Sequence, residues 1–424
     1  MMQNAAPSSS SAGPAGVPAA NSASPGFPRT VAVLAGGPDA ERPISLQTGH
    51  AIANALREVT VELASIVRDE VKTAELRWPH TGHPLRKRFA RDKATADGGS
   101  SAASSSSTAP NTSPTAAGTA PAWEVTLHEI DRLTPAELAA IEADVIVPAL
   151  HGPWGEGGPL QQLLEADQRP FVGCGSAAAA LCMNKWSTKA IAVDVGVPTP
   201  AAVMVNRGGR TDDHASGDSR LNSDASGNVE RSASTEVLPA ETTAEVLIER
   251  LPLPFVIKPV DEGSSVGIHL CRVLPEVRDA LEDPALVGRS LLAEQYVPGR
   301  EFTVGIVADE VNSIVEVVPE SGFFDYEAKY VSERTRFIVA PDLRAESAQR
   351  MTDAAAALYR ACGCRDLGRI DFRLDSSGGI WMLELNTFPG FTAHSLVPMG
   401  AAFHGLPMPA LCALLVQRAW ARRR

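Results

Sequence analysis

The sequence predicts a protein of mixed α/β and α+β class, in which an N-terminal parallel βαβ domain precedes a region built on antiparallel sheets. In the first part of the chain, short apolar runs end in glycine-containing loops, and segments with helical spacing follow them. From Phe255 onward, short strand-like runs follow one another in series. Hydrophobic residues make up 44% of the 424 residues, which is enough to build buried cores and excludes a wholly disordered chain.

The N-terminal part shows two strand–loop–helix units. The first has a buried strand at Val31–Ala35, and a helix is indicated by apolar residues at Ala51, Ile52, Ala55 and Leu56. The second has a strand at Val145–Leu150 and a helix around Leu160–Leu164. Both loops should lie at the carboxyl ends of parallel strands, where ligands usually bind.

The second half predicts six strands and one long helix. The helix is alanine-rich and runs over Ala345–Cys362. The strands are Phe255–Lys258, Leu291–Gln295, Phe302–Ala308, Ile314–Val318, Gly368–Leu374 and Ile380–Leu385.

Three stretches rich in small and polar residues are predicted to lie outside the folded cores. They are a disordered tail over residues 1–28 and two surface insertions, at 92–122 and 207–238. Long polar insertions in loops cost little closure entropy, so a globular fold tolerates them.

Charge and cysteine usage limit the partners of the protein. With 38 basic and 50 acidic residues, the net charge of −12 argues against nucleic acid or an anionic membrane as a partner. The six cysteines show no zinc-type spacing, and the one close pair, Cys362 and Cys364, is interpreted as reduced and structural. The first residues lack the pattern of a signal peptide, and we expect a cytoplasmic protein.

Three oxygen-bearing side chains near the end of the chain form a candidate metal site. Glu384 and Asn386 are two residues apart and therefore share one face of a strand. If the preceding strand pairs with it as a hairpin, Asp371 faces them and completes a set of donors suited to Mg²⁺. A solvated hairpin face explains the same pattern equally well.

A glycine-rich loop, Gly263–Gly267, follows Lys258 and is a candidate phosphate-binding element. It lacks the Lys-Ser or Lys-Thr of a P-loop, and an ordinary turn is the alternative. Lys185 and Lys258 are either phosphate ligands or common surface lysines.

Taken together, these segments resemble the D-alanine–D-alanine ligases, a family of ATP-grasp ligases. The resemblance covers essentially all of the chain outside the three low-complexity stretches. It rests on these motifs in order: Leu34–Arg42 with Ser45, Pro148–Gly152, Met183–Lys185, Lys258–Pro259 with Glu262–Gly267, Glu327–Tyr330, Gly368–Asp371, and Glu384–Gly390 with His394–Leu396.

The resemblance implies an N-terminal substrate domain over 29–180 followed by a two-part ATP-grasp fold. Its central subdomain would span 181–294, and its C-terminal subdomain, with the metal and oxyanion sites, 295–424. The implied reaction joins two D-alanine molecules through an acyl phosphate, with release of ADP and phosphate, for peptidoglycan synthesis. It implies ATP, two Mg²⁺ or Mn²⁺ ions and a homodimer.

The implied nucleotide and metal site divides into three groups. Asp371, Glu384 and Asn386 would hold the metal ions. The phosphates would contact Lys185, Lys258, Lys329, Ser264 and Ser265. The adenine and ribose would contact Glu294, Val297 and Glu301.

The implied amino-acid site involves residues from both ends of the chain. Glu41 would pair with the ammonium group of the first substrate, His151 would support that substrate, and Ser395 would hold the carboxylate of the second. Arg369 and the backbone N–H of Gly390 would form an oxyanion hole. Ser264 and Tyr330 would hydrogen-bond near Glu41 as part of a closing lid.

Three residues depart from the family pattern: Asn184, Phe388 and Arg373. Arg373 puts the packing of the nucleotide in question, because an apolar residue is usual there. Two other functions stay open: a related ligase with another second substrate, such as D-lactate, and an ATP-binding module without catalysis.

Overall fold

The fold is built on three sheets, seen here in a computed structural model. It describes residues 27–73, 121–207, 235–263, 267–319, 335–392 and 394–423. One sheet has three strands, and each of the other two has five.

The first sheet is parallel and has its most buried strand at the centre. β1 (Thr30–Gly36) lies between β2 (Glu124–Ile130) and β3 (Val145–Pro148). Residues 31–36 are all buried, as expected for a parallel strand covered on both faces. The helices of this part of the chain are α1 (Arg42–Arg57), α2 (Val61–Thr73), α3 (Pro135–Ala139), α4 (Pro153–Glu156), α5 (Pro159–Asp167), α6 (Ser176–Met183) and α7 (Lys185–Asp194).

The second sheet has five strands and carries the glycine-rich loop. The strands are β4 (Ala202–Val205), β5 (Thr235–Leu238), β6 (Phe255–Pro259), β7 (His269–Cys271) and β8 (Leu291–Gln295). Their order in the sheet is β5-β4-β8-β6-β7, and the glycine-rich loop connects β6 to β7. Only the β4–β5 pair is parallel. Two helices, α8 (Ala244–Arg250) and α9 (Leu274–Glu282), belong to this part of the chain.

The third sheet also has five strands and is entirely antiparallel. The strands are β9 (Arg300–Val307), β10 (Glu310–Val318), β11 (Arg336–Val339), β12 (Leu367–Leu374) and β13 (Ile380–Asn386). Their order in the sheet is β11-β10-β9-β12-β13. The helix α10 (Ala345–Ala361) packs on this sheet and contributes Met351, Leu358 and Tyr359 to its core.

The last two helices connect the end of the chain to its beginning. α11 (Leu396–Phe403) and α12 (Met408–Ala421) share one apolar core with β1, β3, α1 and α2. In this core Leu411 and Leu414 of α12 are fully buried together with Val31 and Leu56. The first sheet is therefore covered in part by the C-terminal helix.

The structure confirms the predicted fold class and moves some boundaries. All six strands predicted in the second half are present, although β10 begins at Glu310 rather than Ile314. The predicted end of the second insertion, at 238, is wrong, because Thr235–Leu238 forms an edge strand with Leu238 buried. The tail 1–28 and the insertion 92–122 lie almost wholly outside the described residues.

No single helix within the described ranges is long and apolar enough to cross a membrane. Helices α11 and α12 reach such a length and apolar composition only when they are counted as one segment, and the chain bends by 105° between them.

Candidate active site

A cavity of about 370 Å³ lies where the three sheets approach one another. Residues from each sheet region line it, including Glu41, His151, Gly263, Arg369, Glu384 and Gly390. The cavity therefore brings together side chains that are more than 300 positions apart in the sequence.

Glu41 forms the wall contributed by the first sheet. It directly precedes α1, just after the carboxyl end of β1, and is 6% exposed. The glycine-rich loop reaches it from the second sheet, because a Cβ on Gly263 would lie only 3.0 Å from its Oε1 atom. A glycine at position 263 thus lets the loop backbone approach the carboxylate closely.

His151 follows β3 and is buried beside Glu41 in the cavity wall. Its Nε2 lies 3.1 Å from Thr48 Oγ1, and its Nδ1 lies 3.9 Å from Glu156 Oε1. Burial, together with the positive charge of Arg369, lowers the pKa of His151 to about 4. The imidazole is therefore neutral at neutral pH.

Glu156 is a buried carboxyl group in the same wall that the sequence analysis did not select. Burial and the nearby carboxylate of Glu41 raise its pKa well above the usual range, although the backbone N–H of Gly152 donates to its Oε1 at 3.2 Å. A protonated Glu156 avoids a second negative charge beside Glu41. The only signal in the sequence was a glutamate within the glycine-rich segment after β3.

The predicted hairpin brings the three candidate metal ligands together. In the antiparallel pairing of β12 and β13, Asp371 stands opposite Glu384, and Arg369 stands opposite Asn386. All four side chains line the cavity. The register shifts immediately after Asp371, which marks an irregularity in the ladder at the site.

Positive and negative groups alternate along this hairpin. Arg369 Nη2 lies 3.0 Å from Asp371 Oδ2 and 3.8 Å from Glu384 Oε1. Lys185 Nζ lies 3.7 Å from the other carboxylate oxygen of Glu384, Oε2. Thr303 of β9 donates from Oγ1 to Asp371 Oδ1 at 2.5 Å. The carboxylates are thus fixed by neighbours on three different elements.

The oxygen donors fit a hard divalent cation. Asp371 and Glu384 supply carboxylates and Asn386 an amide oxygen, which is a donor set that Mg²⁺ and Mn²⁺ accept. The Oδ1 atom of Asn386 accepts from the N–H of Phe388 at 3.1 Å, and this bond fixes the side chain. The candidate ligand set therefore consists of two carboxylates and one amide.

A smaller cavity of about 90 Å³ adjoins the first and shares Lys185, Glu262 and Glu384 with it. Lys258, Glu294, Val297 and Glu301 line it, as the sequence resemblance implied for a nucleotide site. The residues shared by the two cavities thus combine the Lys185 ammonium with carboxylates.

Glu294 lies between two lysines at the base of the smaller cavity. Lys258 Nζ is 2.5 Å from its Oε2, and Lys189 contacts its Oε1. Burial alone would raise the pKa of Glu294, but the charges of Lys189 and Lys258 outweigh it and lower that pKa. Burial lowers the pKa of Lys189 to about 8. Lys189 was not predicted from the sequence.

Arg373, which departs from the family pattern, has a clear structural position. Its Nη2 lies 3.0 Å from Glu301 Oε2, and its Nη1 donates to the carbonyl of Gly299 at 2.9 Å. Its guanidinium stands 5.8 Å from the centre of the Tyr296 ring. The arginine is therefore built into the wall of the smaller cavity rather than directed into solvent.

Gly390 and Ser395 form the wall near α11. A Cβ on Gly390 would lie 3.3 Å from Ser395 Oγ, so the two residues are neighbours. Ser395 Oγ accepts a hydrogen bond from the N–H of Thr392 at 2.9 Å. Four other site residues from the sequence analysis, Ser264, Ser265, Lys329 and Tyr330, lie outside the described residues.

Comparison with known families gives a consistent match. Residues 30–174 match the family model "D-ala D-ala ligase N-terminus", and residues 229–417 match "D-ala D-ala ligase C-terminus". The chain is 36% identical over 297 residues to a D-alanine–D-alanine ligase of Bordetella petrii, covering 69% of this chain and 81% of the relative. It is 37% identical over 278 residues to the enzyme of Chromohalobacter salexigens, covering 65% and 77%.

Solved structures show the same fold. A D-alanine–D-alanine ligase from Bacillus anthracis, complexed with ATP, aligns with a TM-score of 0.60 at 22% identity and covers 93% of this chain and 98% of its own. The corresponding ligase from Coxiella burnetii aligns with a TM-score of 0.62 at 19% identity, covering 93% and 94%. The predicted ATP-grasp architecture is thereby confirmed.

Proposed function

Because the chain belongs to the D-alanine–D-alanine ligase family, we propose that it joins two D-alanine molecules to D-alanyl-D-alanine at the expense of ATP. A carboxylate is a poor electrophile, so the first D-alanine must be activated. Phosphoryl transfer from ATP converts it to an acyl phosphate, which the amine of the second D-alanine attacks with loss of phosphate. The product supplies peptidoglycan synthesis.

One observation carries this proposal: the Asp371–Glu384 pair and Glu41 line the same cavity. The buried Glu41 carboxylate would bind the ammonium group of the first D-alanine through a charge-assisted hydrogen bond. The substrate carboxylate would then point toward the hairpin and the phosphates of ATP. His151, neutral by burial, would support this substrate without repelling its ammonium group.

Asp371, Glu384 and Asn386 would hold two Mg²⁺ or Mn²⁺ ions. When bound, such ions neutralise phosphate charge and align the transferring group. Asp371 and Glu384 are now paired with Arg369 and Lys185, and the Lys185 ammonium would shift its contact toward phosphate oxygens as ATP binds.

Arg369 and the backbone N–H of Gly390 would stabilise the tetrahedral intermediate. Both line the cavity, and donors fixed in advance are most effective where negative charge develops. Ser395, next to Gly390, would hold the carboxylate of the second D-alanine.

The smaller cavity would hold the adenosine part of ATP. Glu294 would accept from the adenine amino group, Val297 would supply backbone hydrogen bonds, and Glu301 would bind the ribose hydroxyls. Lys185 and Lys258 would contact the phosphates. The family resemblance assigns the same task to Ser264, Ser265 and Lys329, and a lid contact with Glu41 to Ser264 and Tyr330.

A coupled assay of ADP release tests the proposed function. With ATP, Mg²⁺ and millimolar D-alanine, we expect ADP to form, and we expect L-alanine to give none. Adding D-lactate as the second substrate distinguishes the related depsipeptide ligases. Calorimetric ATP binding without any ADP formation would instead identify a non-catalytic module.

The family resemblance also supports a homodimer located in the cytoplasm, where ATP is supplied. Sedimentation equilibrium at micromolar concentration tests the dimer. A single species at the monomer mass of 44.6 kDa would contradict it.

A further inference from the structure

Four of the six cysteines gather on one side of the candidate active site. Cys174 lies in the loop before α6, Cys182 lies near the end of α6, and Cys362 and Cys364 lie in the turn between α10 and β12. All four are free thiols, and Cys182 Sγ is 3.6 Å from Cys364 Sγ. The chain thus holds two sulfur atoms in van der Waals contact that are 182 positions apart in sequence.

We propose that Cys182 and Cys364 form a peroxide-sensitive dithiol that closes reversibly into a disulfide and thereby switches the enzyme off. Reversible thiol chemistry, rather than metal binding, is favoured by the arrangement. The contacts run from Cys174 to Cys364, from Cys364 to Cys182 and from Cys182 to Cys362. They form a chain, and the described residues contain no three-ligand metal group.

Cys364 is the nucleophile of this pair. Its side chain is partly exposed, whereas the other three cysteines are buried. The neighbouring thiols of Cys174 and Cys182 lower the pKa of Cys364. The contacts of Cys182 with Cys362 and Cys364, together with burial, raise the pKa of Cys182, which therefore stays a thiol. A thiolate that is accessible to small oxidants lies beside a protonated resolving thiol.

The oxidation balances with hydrogen peroxide as the oxidant. The Cys364 thiolate attacks one peroxide oxygen, the O–O bond breaks, and hydroxide leaves to give a sulfenic acid. The Cys182 sulfur then attacks the Cys364 sulfur and displaces the sulfenic hydroxyl, which leaves as water with the Cys182 proton. Two thiols have lost two electrons, and one peroxide has become two molecules of water.

Cys182 is favoured over Cys174 as the resolving thiol. The backbone of Arg365 holds the Cys174 sulfur, which accepts a hydrogen bond from the Arg365 N–H at 3.4 Å and donates its S–H to the Arg365 carbonyl at 3.7 Å. Cys182 Sγ, by contrast, contacts Cys364 directly at the end of a helix.

Closure of the disulfide would disturb the phosphate-binding region, a consequence that rests on the proposed function. Cys182 and Met183 line the cavity, and Lys185 follows them at the start of α7. A disulfide requires the sulfurs to approach from 3.6 Å to about 2 Å, so the end of α6, the turn that carries Cys364, or both must shift. A displacement of about 1 Å in a catalytic site can reduce the rate on the order of a hundredfold.

The test combines peptide mapping with activity after treatment of the whole protein with hydrogen peroxide. Mass spectrometry of the alkylated, unreduced protein should find a Cys182–Cys364 cross-link. Ligase activity should fall at least tenfold and recover with dithiothreitol, which does not repair methionine sulfoxide. Cys364→Ser and Cys364→Ala should keep basal activity and resist peroxide. Cys362→Ser, a matched control from the same turn, should stay sensitive.

Peptide mapping does not depend on the ligase reaction, so it decides the thiol chemistry even if the protein has another activity. If both Cys182 and Cys364 can still be alkylated after peroxide treatment, the proposal is overturned. A cross-link through Cys174 or Cys362, or a Cys364→Ser variant as sensitive as the unmodified protein, would also overturn it.

Discussion

At the scale of single residues, Arg369 lies between the proposed metal site and the proposed oxyanion site. Its guanidinium contacts Asp371 at 3.0 Å and approaches Glu384 at 3.8 Å, while the residue also lines the cavity beside Gly390. One cation thus lies between the groups proposed to bind metal and the space proposed for the reacting carbon.

We predict that Arg369→Ala lowers kcat by about 10²–10³-fold, as found when an oxyanion donor is removed. ATP affinity, measured by calorimetry, should change only a few-fold, because the smaller cavity, which is proposed to hold adenosine, is intact. Arg360→Ala, on the exposed side of α10, is the matched control and should be silent. Unchanged turnover in Arg369→Ala would exclude the oxyanion role, and an unfolded variant would show that the arginine is structural.

His151 makes the stability of the protein depend on pH. Its folded-state pKa of about 4 lies below the ordinary value of 6.5, so between these values the unfolded chain binds a proton that the folded protein rejects. Stability contributed by His151 is therefore lost as the pH falls from 6.5 to 4. The loss is on the order of 3 kcal/mol at the lower end.

Urea unfolding at several pH values measures this effect. We expect His151→Gln to flatten the decrease in unfolding free energy between pH 6.5 and 4. His50→Gln alters a histidine whose side chain is 56% exposed, and it should leave the decrease unchanged. Parallel pH profiles for the original protein and His151→Gln would contradict the assigned burial.

At the scale of secondary structure, the antiparallel ladder of β9, β12 and β13 fixes the strand face that is proposed to bind metal. Asp371 is opposite Glu384 on one side and opposite Thr303 on the other. The hydroxyl of Thr303, itself 2% exposed, donates to Asp371 Oδ1 at 2.5 Å. Such an outer partner holds a ligand in the orientation that a metal needs.

We predict that Thr303→Val raises the Mg²⁺ concentration needed for half-maximal activity by about 10–100-fold. The valine matches threonine in shape but leaves Asp371 without this donor. Thr303→Ser retains the hydroxyl and should behave nearly as the original protein. A magnesium titration of ADP release decides the matter, and equal Mg²⁺ requirements for the valine and serine variants would refute the positioning role.

The hairpin was predictable from the sequence, whereas its supports were not. The two-residue spacing of Glu384 and Asn386 fixes a shared strand face, and a short turn separates that strand from Asp371. Thr303 and Lys189 carry no comparable signal, because the role of Thr303 depends on which distant strand pairs with β9, and that of Lys189 depends on how helix α7 packs beside Glu294. Glu156 acquires its role from burial beside Glu41, which no local pattern reveals.

At the scale of the whole molecule, the two ends of the chain share one hydrophobic core. Helix α12 is nearly all apolar and packs on α1 and α2, which cover the first sheet. Its sequence indicates a buried helix, but periodicity alone does not show that the helices it packs on lie more than 330 residues earlier in the chain. The wall that carries Glu41 therefore depends on the C-terminus for its stability.

We predict that Leu411→Ala, at a fully buried position of α12, destabilises the protein by about 2–5 kcal/mol. Because the core is shared, denaturant unfolding should keep one transition that shifts as a whole. Val287→Ala, at a side chain that is 70% exposed, should cost less than about 0.5 kcal/mol. A first-sheet region that stays folded after α12 has lost its packing would contradict the shared core.

The most direct test of carboxylate activation follows one oxygen atom. D-alanine labelled with ¹⁸O in its carboxylate is converted in the presence of ATP and Mg²⁺, and the released phosphate is analysed by mass spectrometry. An acyl phosphate intermediate transfers one labelled oxygen from each first-substrate molecule to inorganic phosphate. If the released phosphate carries no ¹⁸O, the substrate carboxylate was not phosphorylated in this cavity, and the account is contradicted.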